Sequence, residues 1–251
     1  MDLPCLREGR GPALVLVHGY LGGSAQWRDQ LAALRPFRDV IAPDLPGFGA
    51  AVNLPGPDTI AGFALAVTGF LDRLGIRRFA LLGHSMGGMI VQEMAARLGD
   101  RIERLVLYGT GPLGRMPDRF EPLETSMDRL AADGVAATAD RISATWFRDG
   151  AQAPGHAVAR ELGRVANPGA ARNALVAMRD WDGRGALAGL DIPCRIIWGD
   201  RDRSYRWPQV AALWDGIAGA ELGVIPGASH AAHLEKPYIF NVMLRDFLSG
   251  G

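Results

Sequence analysis

The sequence predicts an α/β fold built on a doubly wound, mostly parallel sheet of seven or eight strands. Short apolar runs without polar alternation recur along the chain, which is typical of strands buried on both faces of a parallel sheet. Segments with helical spacing of apolar residues separate these runs, as the crossover helices of such a sheet require. The 251 residues, 48% of them hydrophobic, fit one large domain with a sizeable core.

Six apolar runs are predicted strands because each is short and rich in Leu, Ile or Val. They occupy residues 13–17, 40–42, 79–82, 105–108, 195–198 and 222–225. Four segments carry apolar residues at helical spacing, at 59–74, 86–98, 207–217 and 237–248. The first of these helices is predicted to begin after Asp58 as N-cap and to end at Gly75.

The alternation of strands and helices is interrupted once, in the segment 112–185. It contains no clear strand, and its helical patches lie at 124–130, 135–147 and 170–178. We expect this segment to form a helical cap over one edge of the sheet. The cap is thus predicted to be inserted into a core made of residues 1–111 and 186–251.

Charge and cysteine content exclude several kinds of partner. The 27 basic and 27 acidic residues balance, and no basic cluster points to nucleic acid or a membrane surface. Neither Cys5 nor Cys194 has a metal-ligand neighbour at a useful spacing, so we expect a reduced, cytoplasmic setting. His230 and His233 have no third ligand at zinc-like spacing, so we expect no metal, and we expect no cofactor. The N-terminal residues lack a signal-peptide pattern, which favours a cytoplasmic protein. Both a monomer and a homodimer are compatible with the sequence.

The strongest chemical signal is the segment 83–88, GHSMGG, which follows a predicted strand and opens a predicted helix. A strand-turn-helix corner holds its serine in a strained backbone conformation, and glycines two positions to either side permit the close packing. Ser85 is therefore the predicted nucleophile, at a helix N-terminus that favours developing negative charge. The alternative is a glycine-rich turn with an incidental serine.

A serine nucleophile needs a base, and the base needs an orienting carboxylate. His230 follows the last predicted strand, where catalytic groups gather in open α/β sheets, and it is the predicted base. His233 is interpreted as a pocket-rim or structural histidine. Asp202 lies further into its loop than Asp200 and is the predicted carboxylate partner. The order Ser85, Asp202, His230 is the chain order of triads in this kind of sheet.

An oxyanion hole requires backbone N–H groups aimed at the reacting oxygen. The first predicted strand ends in a glycine-containing turn, HGYLGG at 18–23, which lets an N–H turn toward the site. We assign the two donors to the amides of Tyr20 and Met86. A plain flexible turn is the alternative.

Five motifs in order resemble those of the α/β-hydrolase superfamily over nearly the whole chain. They are VHG at 17–19, DLPGFG at 44–49, GHSMG at 83–87, WGDRD at 198–202, and His230 with LEKP at 234–237. The resemblance implies the α/β-hydrolase fold and favours Asp202 over Asp200 and His230 over His233. The family often opens with two antiparallel strands. Only about a dozen residues precede Ala13, so we expect the first strand to be missing, which gives seven.

These features predict a serine hydrolase that cleaves a carboxylic ester or related acyl bond through an acyl-enzyme on Ser85. The capped design also resembles carbon–carbon bond hydrolases of ring-cleavage diketones, and a lactonase remains an alternative. Lyases, perhydrolases and cofactor-free oxygenases share the same side-chain geometry. A ligand receptor with a relict triad is a third class.

The substrate is predicted to be a small acyl compound bound between the sheet edge and the cap. Cap residues with large apolar side chains, together with two residues outside the cap, are the predicted contacts: Trp146, Phe147, Met178, Trp181, Trp207 and His233. Four arginines are candidates for binding a substrate carboxylate or for solvated surface: Arg115, Arg119, Arg148 and Arg172.

Overall fold

A computed structural model describes residues 2–116 and 119–250 and contains one seven-stranded sheet. The strands are β1 (Cys5–Glu8), β2 (Ala13–Val17), β3 (Asp39–Pro43), β4 (Phe79–His84), β5 (Ile102–Tyr108), β6 (Cys194–Gly199) and β7 (Glu221–Ile225). Their order in the sheet is β1-β3-β2-β4-β5-β6-β7. All neighbouring strands pair in parallel except β1, which is antiparallel to β3. The predicted fold class is therefore confirmed.

The α-helices flank the sheet or lie between β5 and β6. They are α1 (Arg28–Leu34), α2 (Ile60–Arg73), α3 (Met86–Leu98), α4 (Leu123–Thr145), α5 (His156–Arg164), α6 (Pro168–Asp180), α7 (Trp207–Gly216), α8 (Ala232–Glu235) and α9 (Pro237–Ser249). Helix α2 begins one residue later than the Asp58 cap predicts. Thr59 is the N-cap instead, and its hydroxyl accepts a hydrogen bond from Gly62 N at 3.1 Å.

The continuous apolar runs in the sequence arise because both faces of the sheet are covered. In β2, Val15 and Val17 pack into the core shared with α2 and α3. Leu14 and Leu16, on the opposite face, pack into the core shared with α1 and α9. All four side chains are fully buried, so neither face of the strand has room for a polar residue.

The segment between β5 and β6 holds α4, α5 and α6, and its two ends meet. Leu113 forms an isolated antiparallel bridge with Asp182, and Gly183 N donates to Pro112 O at 2.8 Å. Helix α4 bends at Gly134, whose φ of 76° and ψ of 173° are not helical. That bend separates the predicted patches 124–130 and 135–147. The division of the chain into a core and a cap stays a prediction.

The parallel strands determine where a site can form. Their carboxyl ends lie at one edge of the sheet, and the loops that follow β2, β4, β6 and β7 carry Tyr20, Ser85, Asp202 and His230. Within 2–116 and 119–250, no helix is both long enough and apolar enough to cross a membrane.

Candidate active site

Ser85 lies at the sharp corner between β4 and α3. Its φ of 58° and ψ of −121° place a non-glycine residue in a strained region of backbone conformation. A Cβ atom added at Gly83 would lie 2.2 Å from Gly87 O, and one at Gly87 would lie 2.4 Å from Val17 O. The two glycines that flank the serine are therefore required by backbone packing, as the motif predicts.

The requirement for glycine can be measured as stability. Gly83→Ala is expected to lower the free energy of unfolding by about 3 kcal/mol, because the methyl group meets backbone that cannot rotate away. Gly69→Ala, within α2, is the matched control, since its Cβ would meet only the end of Arg73 at 3.6 Å. It should raise stability by about 0.5–1 kcal/mol. Urea unfolding that gave equal values for both variants would contradict this account of the corner.

Asp202 and His230, 28 residues apart in sequence, are joined by a hydrogen bond. The His230 Nδ1–H donates to Asp202 Oδ2 at 2.9 Å, and both side chains are buried. The other carboxylate oxygen, Oδ1, accepts from the backbone N–H groups of Ser204 at 2.7 Å and Tyr205 at 3.1 Å. These three hydrogen bonds fix the carboxylate and leave Nε2 of His230 as the nitrogen available for proton transfer.

Asp200, the other candidate carboxylate, has different partners. Its Oδ1 accepts from Gly227 N at 2.5 Å, and its Oδ2 lies 3.7 Å from Arg201 Nε. Asp200 thus braces the turn that precedes His230, whereas Asp202 contacts the imidazole itself.

The imidazole of His230 is enclosed by aromatic rings. Tyr205 stacks on it with ring centroids 5.6 Å apart and planes 15° from parallel, and His84 and Trp146 lie at 4.6 and 6.1 Å. Ser85 and His230 line the same cavity, although no hydrogen bond joins their side chains. Such catalytic hydrogen bonds are often long without substrate and tighten when it binds.

The turn after β2 presents a second strained backbone. Leu21, with φ of 54°, is the other non-glycine residue with positive φ in the described chain. His18 holds this turn, because its Nδ1–H donates to Gly19 O at 2.8 Å while Nε2 accepts from Leu45 N at 2.9 Å. In the described residues, the N–H groups of Tyr20 and Met86 donate to no other group, so both can serve a ligand oxygen.

His84 has a structural environment. Its Nε2–H donates to His230 O at 3.0 Å, and its ring stacks on Tyr108 at 4.5 Å. Burial lowers the pKa of His84 well below its ordinary value, so this ring is neutral. It supports the loop that carries His230.

His233 is buried beside His230, and its tautomer follows from its partners. The Tyr108 hydroxyl donates to His230 O at 2.8 Å, so its oxygen must accept from His233 Nδ1 at 3.0 Å. Nε2 of His233 is then an unprotonated acceptor, and it has no partner in the described residues. Burial, with a smaller contribution from the charge of His230, lowers the pKa of His233 to about 3.

The low pKa of His233 predicts a pH dependence of stability. An unfolded histidine takes up a proton below pH 6.5, whereas folded His233 remains neutral down to about pH 3. The contribution of neutral His233 to the free energy of unfolding is therefore fully present above pH 6.5 and is lost as the pH falls from 6.5 toward 3. At pH 5 the loss is about 2 kcal/mol. In His233→Asn, the fall in unfolding free energy between pH 7 and 5 should be smaller by this amount. Equal falls in wild type and variant would contradict the assignment.

Two narrow cavities meet at the site. Both are lined by Tyr20, Ser85, Trp146 and His230. The larger cavity is otherwise mainly apolar, with six residues from the loop after β5 and from α3, α4 and α6: Met89, Met116, Phe120, Leu123, Ile142 and Met178. The smaller cavity lies against His233 and Gln26.

Three of the predicted substrate contacts lie outside both cavities, and Phe147 and Trp181 are two of them. Phe147 is fully buried in a small cluster with Ala153 and Ala159, and its ring meets His156 edge-on at 5.9 Å. Trp181 donates its indole N–H to Glu93 at 3.2 Å and packs into the core. Neither residue lines a cavity at the site, because these contacts occupy both side chains.

Of Trp207 and the four candidate arginines, one residue lines a cavity at the site. Trp207 is 44% exposed and packs against other tryptophans outside both cavities. Arg119 lines the larger cavity. Arg115 pairs with Glu124 at 3.0 Å, while Arg148 and Arg172 are exposed.

Sequence reasoning missed Tyr205, which stacks on His230 and lies beside Ser85. Burial raises the pKa of Tyr205 to about 12, against opposing interactions with the Ser85 and Thr110 hydroxyls, so the phenol is neutral. A clue was its position three residues after Asp202, in the loop that must curl around that carboxylate.

Comparisons with known proteins agree with this fold. The family model described as alpha/beta hydrolase fold matches residues 12–237. A 2-hydroxy-6-oxo-6-phenylhexa-2,4-dienoate hydrolase of Comamonas testosteroni is 30% identical over 259 aligned positions, covering 96% of this chain and 88% of the relative. The enol-lactonase of Burkholderia xenovorans superposes with a TM-score of 0.87 at 28% identity, over 98% of this chain and 96% of that one. A thermophilic esterase of Thermogutta terrifontis superposes with a TM-score of 0.88 at 26% identity, over 98% of this chain and 93% of the esterase.

The chain therefore belongs to the α/β hydrolase fold family. The three relatives named above carry hydrolytic names, which supports a hydrolytic enzyme on this fold.

Proposed function

We propose that this hydrolase cleaves a carboxylic ester or a related acyl bond through an acyl-enzyme on Ser85. The observation that carries the proposal is the 2.9 Å hydrogen bond between His230 and Asp202, beside a serine held at φ 58° in the same cavity wall. A buried imidazole that is oriented by a carboxylate and shares a cavity with a serine hydroxyl is an arrangement for nucleophilic attack on a carbonyl.

In the proposed mechanism His230 Nε2 takes the proton of the Ser85 hydroxyl as Oγ attacks the carbonyl carbon. Asp202 stabilises the imidazolium that forms. His230 then gives the proton to the departing alcohol, which leaves the acyl group on Ser85. A water molecule, deprotonated by the same nitrogen, releases the acid and restores the serine.

The N–H groups of Tyr20 and Met86 are proposed to stabilise the negatively charged oxygen of the tetrahedral intermediate. Two features support this assignment: both amides lack a partner in the described residues, and Met86 N lies at the N-terminus of α3. The strained Leu21 supports a turn held in a fixed conformation. Each such donor is worth roughly a hundred- to thousandfold in rate.

Substrate contacts are proposed for the residues that line the two cavities. Trp146 and Met178 would pack on the apolar part of the substrate in the larger cavity, with residues 112–185 acting as the cap. His233 would accept a hydrogen bond in the smaller cavity through its unpartnered Nε2.

A second candidate function is hydrolysis of a carbon–carbon bond in a ring-cleavage diketone, or of a lactone. The dienoate hydrolase at 30% identity favours the first, and the enol-lactonase favours the second. Both reactions use the same attack on a carbonyl, so the site geometry accommodates them.

A substrate panel separates these reactions. It contains p-nitrophenyl esters, lactones, amides and ring-cleavage diketones, with fluorophosphonate labelling of Ser85 in parallel. The proposal expects ester turnover and a single label on Ser85. Turnover of diketones or lactones alone would contradict the ester proposal and favour the second candidate function. An unlabelled Ser85 would overturn the serine mechanism.

A further inference from the structure

The larger cavity contains polar groups that the proposed acyl transfer does not use. Its lining is apolar apart from the reacting residues and four other side chains, namely Tyr20, Arg119, Ser204 and Tyr205. A permanently charged guanidinium is unusual in a wall that is otherwise apolar. These groups therefore point to a ligand.

The charges around this wall favour an anion. Nη1 of Arg119 donates to Ser126 Oγ at 3.1 Å and to the backbone oxygen of Glu121. The carboxylate of Glu121 already pairs with Arg129 at 2.8 Å and Arg141 at 3.0 Å. Among the described residues, two guanidiniums thus pair with the Glu121 carboxylate, and the third, that of Arg119, contacts only the backbone of the same residue. Burial lowers the pKa of Arg119, and desolvation of a cation strengthens its attraction for an anion.

Unpartnered donors lie beside this cation. The Tyr20 side chain is 5% exposed, and its hydroxyl has no hydrogen-bond partner in the described chain. Arg119 and Arg141 both influence the pKa of Tyr20, opposing the increase that burial causes, so their charges lie close to it. Ser204, 7% exposed, has an equally unpartnered Oγ in the same lining. Buried donors without partners are unfavourable, so a ligand that accepts hydrogen bonds is favoured.

From this cluster we infer that the substrate carries a carboxylate and that Arg119, assisted by the Tyr20 hydroxyl, binds it. The inference rests on the proposed function, since it concerns the substrate of the Ser85 site. Guanidinium, phenol and serine hydroxyl all donate, and a carboxylate accepts from several donors at once. The apolar residues between them suit a short hydrocarbon chain. The substrate class is therefore an acid whose carboxylate lies a few carbons from the carbonyl that Ser85 attacks.

Two matched esters test the inference, namely mono-p-nitrophenyl glutarate and its methyl ester, which differ in the negative charge. The full-length wild-type enzyme should prefer the anion by at least about tenfold in kcat/KM, as a charge-assisted hydrogen bond implies. Arg119→Gln should abolish that preference by raising KM for the anion about ten- to hundredfold, while values for the methyl ester change less than about threefold. Arg119→Lys should restore part of the preference, and Tyr20→Phe should lose a smaller part.

Arg148→Gln is the control, because Arg148 is exposed and outside both cavities, and it should leave both esters unchanged. If the wild-type enzyme hydrolysed the methyl ester and the anion with equal kcat/KM, the inference would be overturned and the proposed function would stay intact. An equal loss on both esters in Arg119→Gln would also overturn it. Hydrolysis of neither ester, with no fluorophosphonate label on Ser85, would overturn the proposed function itself.

Discussion

Replacing Ser85 by alanine should lower kcat by about a millionfold for any ester that the wild-type enzyme hydrolyses. Without Oγ there is no nucleophile for His230 to activate, and only the oxyanion donors and substrate binding remain. Folding should be unaffected, because alanine and serine share the Cβ atom that the strained corner at φ 58° must accommodate. The free energy of unfolding should stay within about 0.5 kcal/mol of wild type.

Steady-state kinetics with purified variants checks this expectation. Ser249→Ala is the matched control, because Ser249 lies at the end of α9 and its hydroxyl only bonds back to Arg245 O at 2.9 Å. It should keep wild-type activity. If Ser85→Ala retained activity within tenfold of wild type, Ser85 could not be the nucleophile.

Asp202→Asn should lower kcat by about ten-thousandfold while leaving KM nearly unchanged. The asparagine amide can still accept from Ser204 N and Tyr205 N, so the loop should keep its shape. Its NH₂ group, however, replaces the oxygen that accepts from His230 Nδ1–H at 2.9 Å. The imidazole is then held in the wrong tautomer, and its protonated form loses its counter-charge.

Asp200→Asn is the matched control for this prediction. Asp200 is also an aspartate and lies two residues before Asp202. Its partner Gly227 N can still donate to an asparagine oxygen. Its kcat should change less than about threefold. A larger loss in Asp200→Asn than in Asp202→Asn would reverse the assignment of the two carboxylates.

Much of the fold could be predicted from the sequence because its strands are buried on both faces. The run 13–17 shows no alternation, and its side chains pack into two separate cores. β1 (Cys5–Glu8) was not predicted, because it is a half-exposed edge strand with charged residues and its pairing with β3 is a long-range contact. The N-cap at Thr59 instead of Asp58 reflects the usual uncertainty of one residue at helix ends.

The nucleophile could be predicted because its motif is local, with both flanking glycines forced by backbone packing. The pairing of His230 with Asp202 rested on strand order, since loops at the same sheet edge converge. The cavity lining could not be derived in this way. Met178 lies near the end of α6 and Trp181 follows that helix, yet Trp181 bonds to Glu93 and Met178 lines the cavity. Which side chain turns inward depends on how α6 packs on the rest of the chain.

The most direct test of the central claim is rapid-quench mass spectrometry during hydrolysis of a p-nitrophenyl ester. The account predicts a protein mass increased by one acyl group before steady state, located on the peptide that contains Ser85 and absent in Ser85→Ala. Full turnover without any acylated protein, or an acyl group on a different residue, would contradict it.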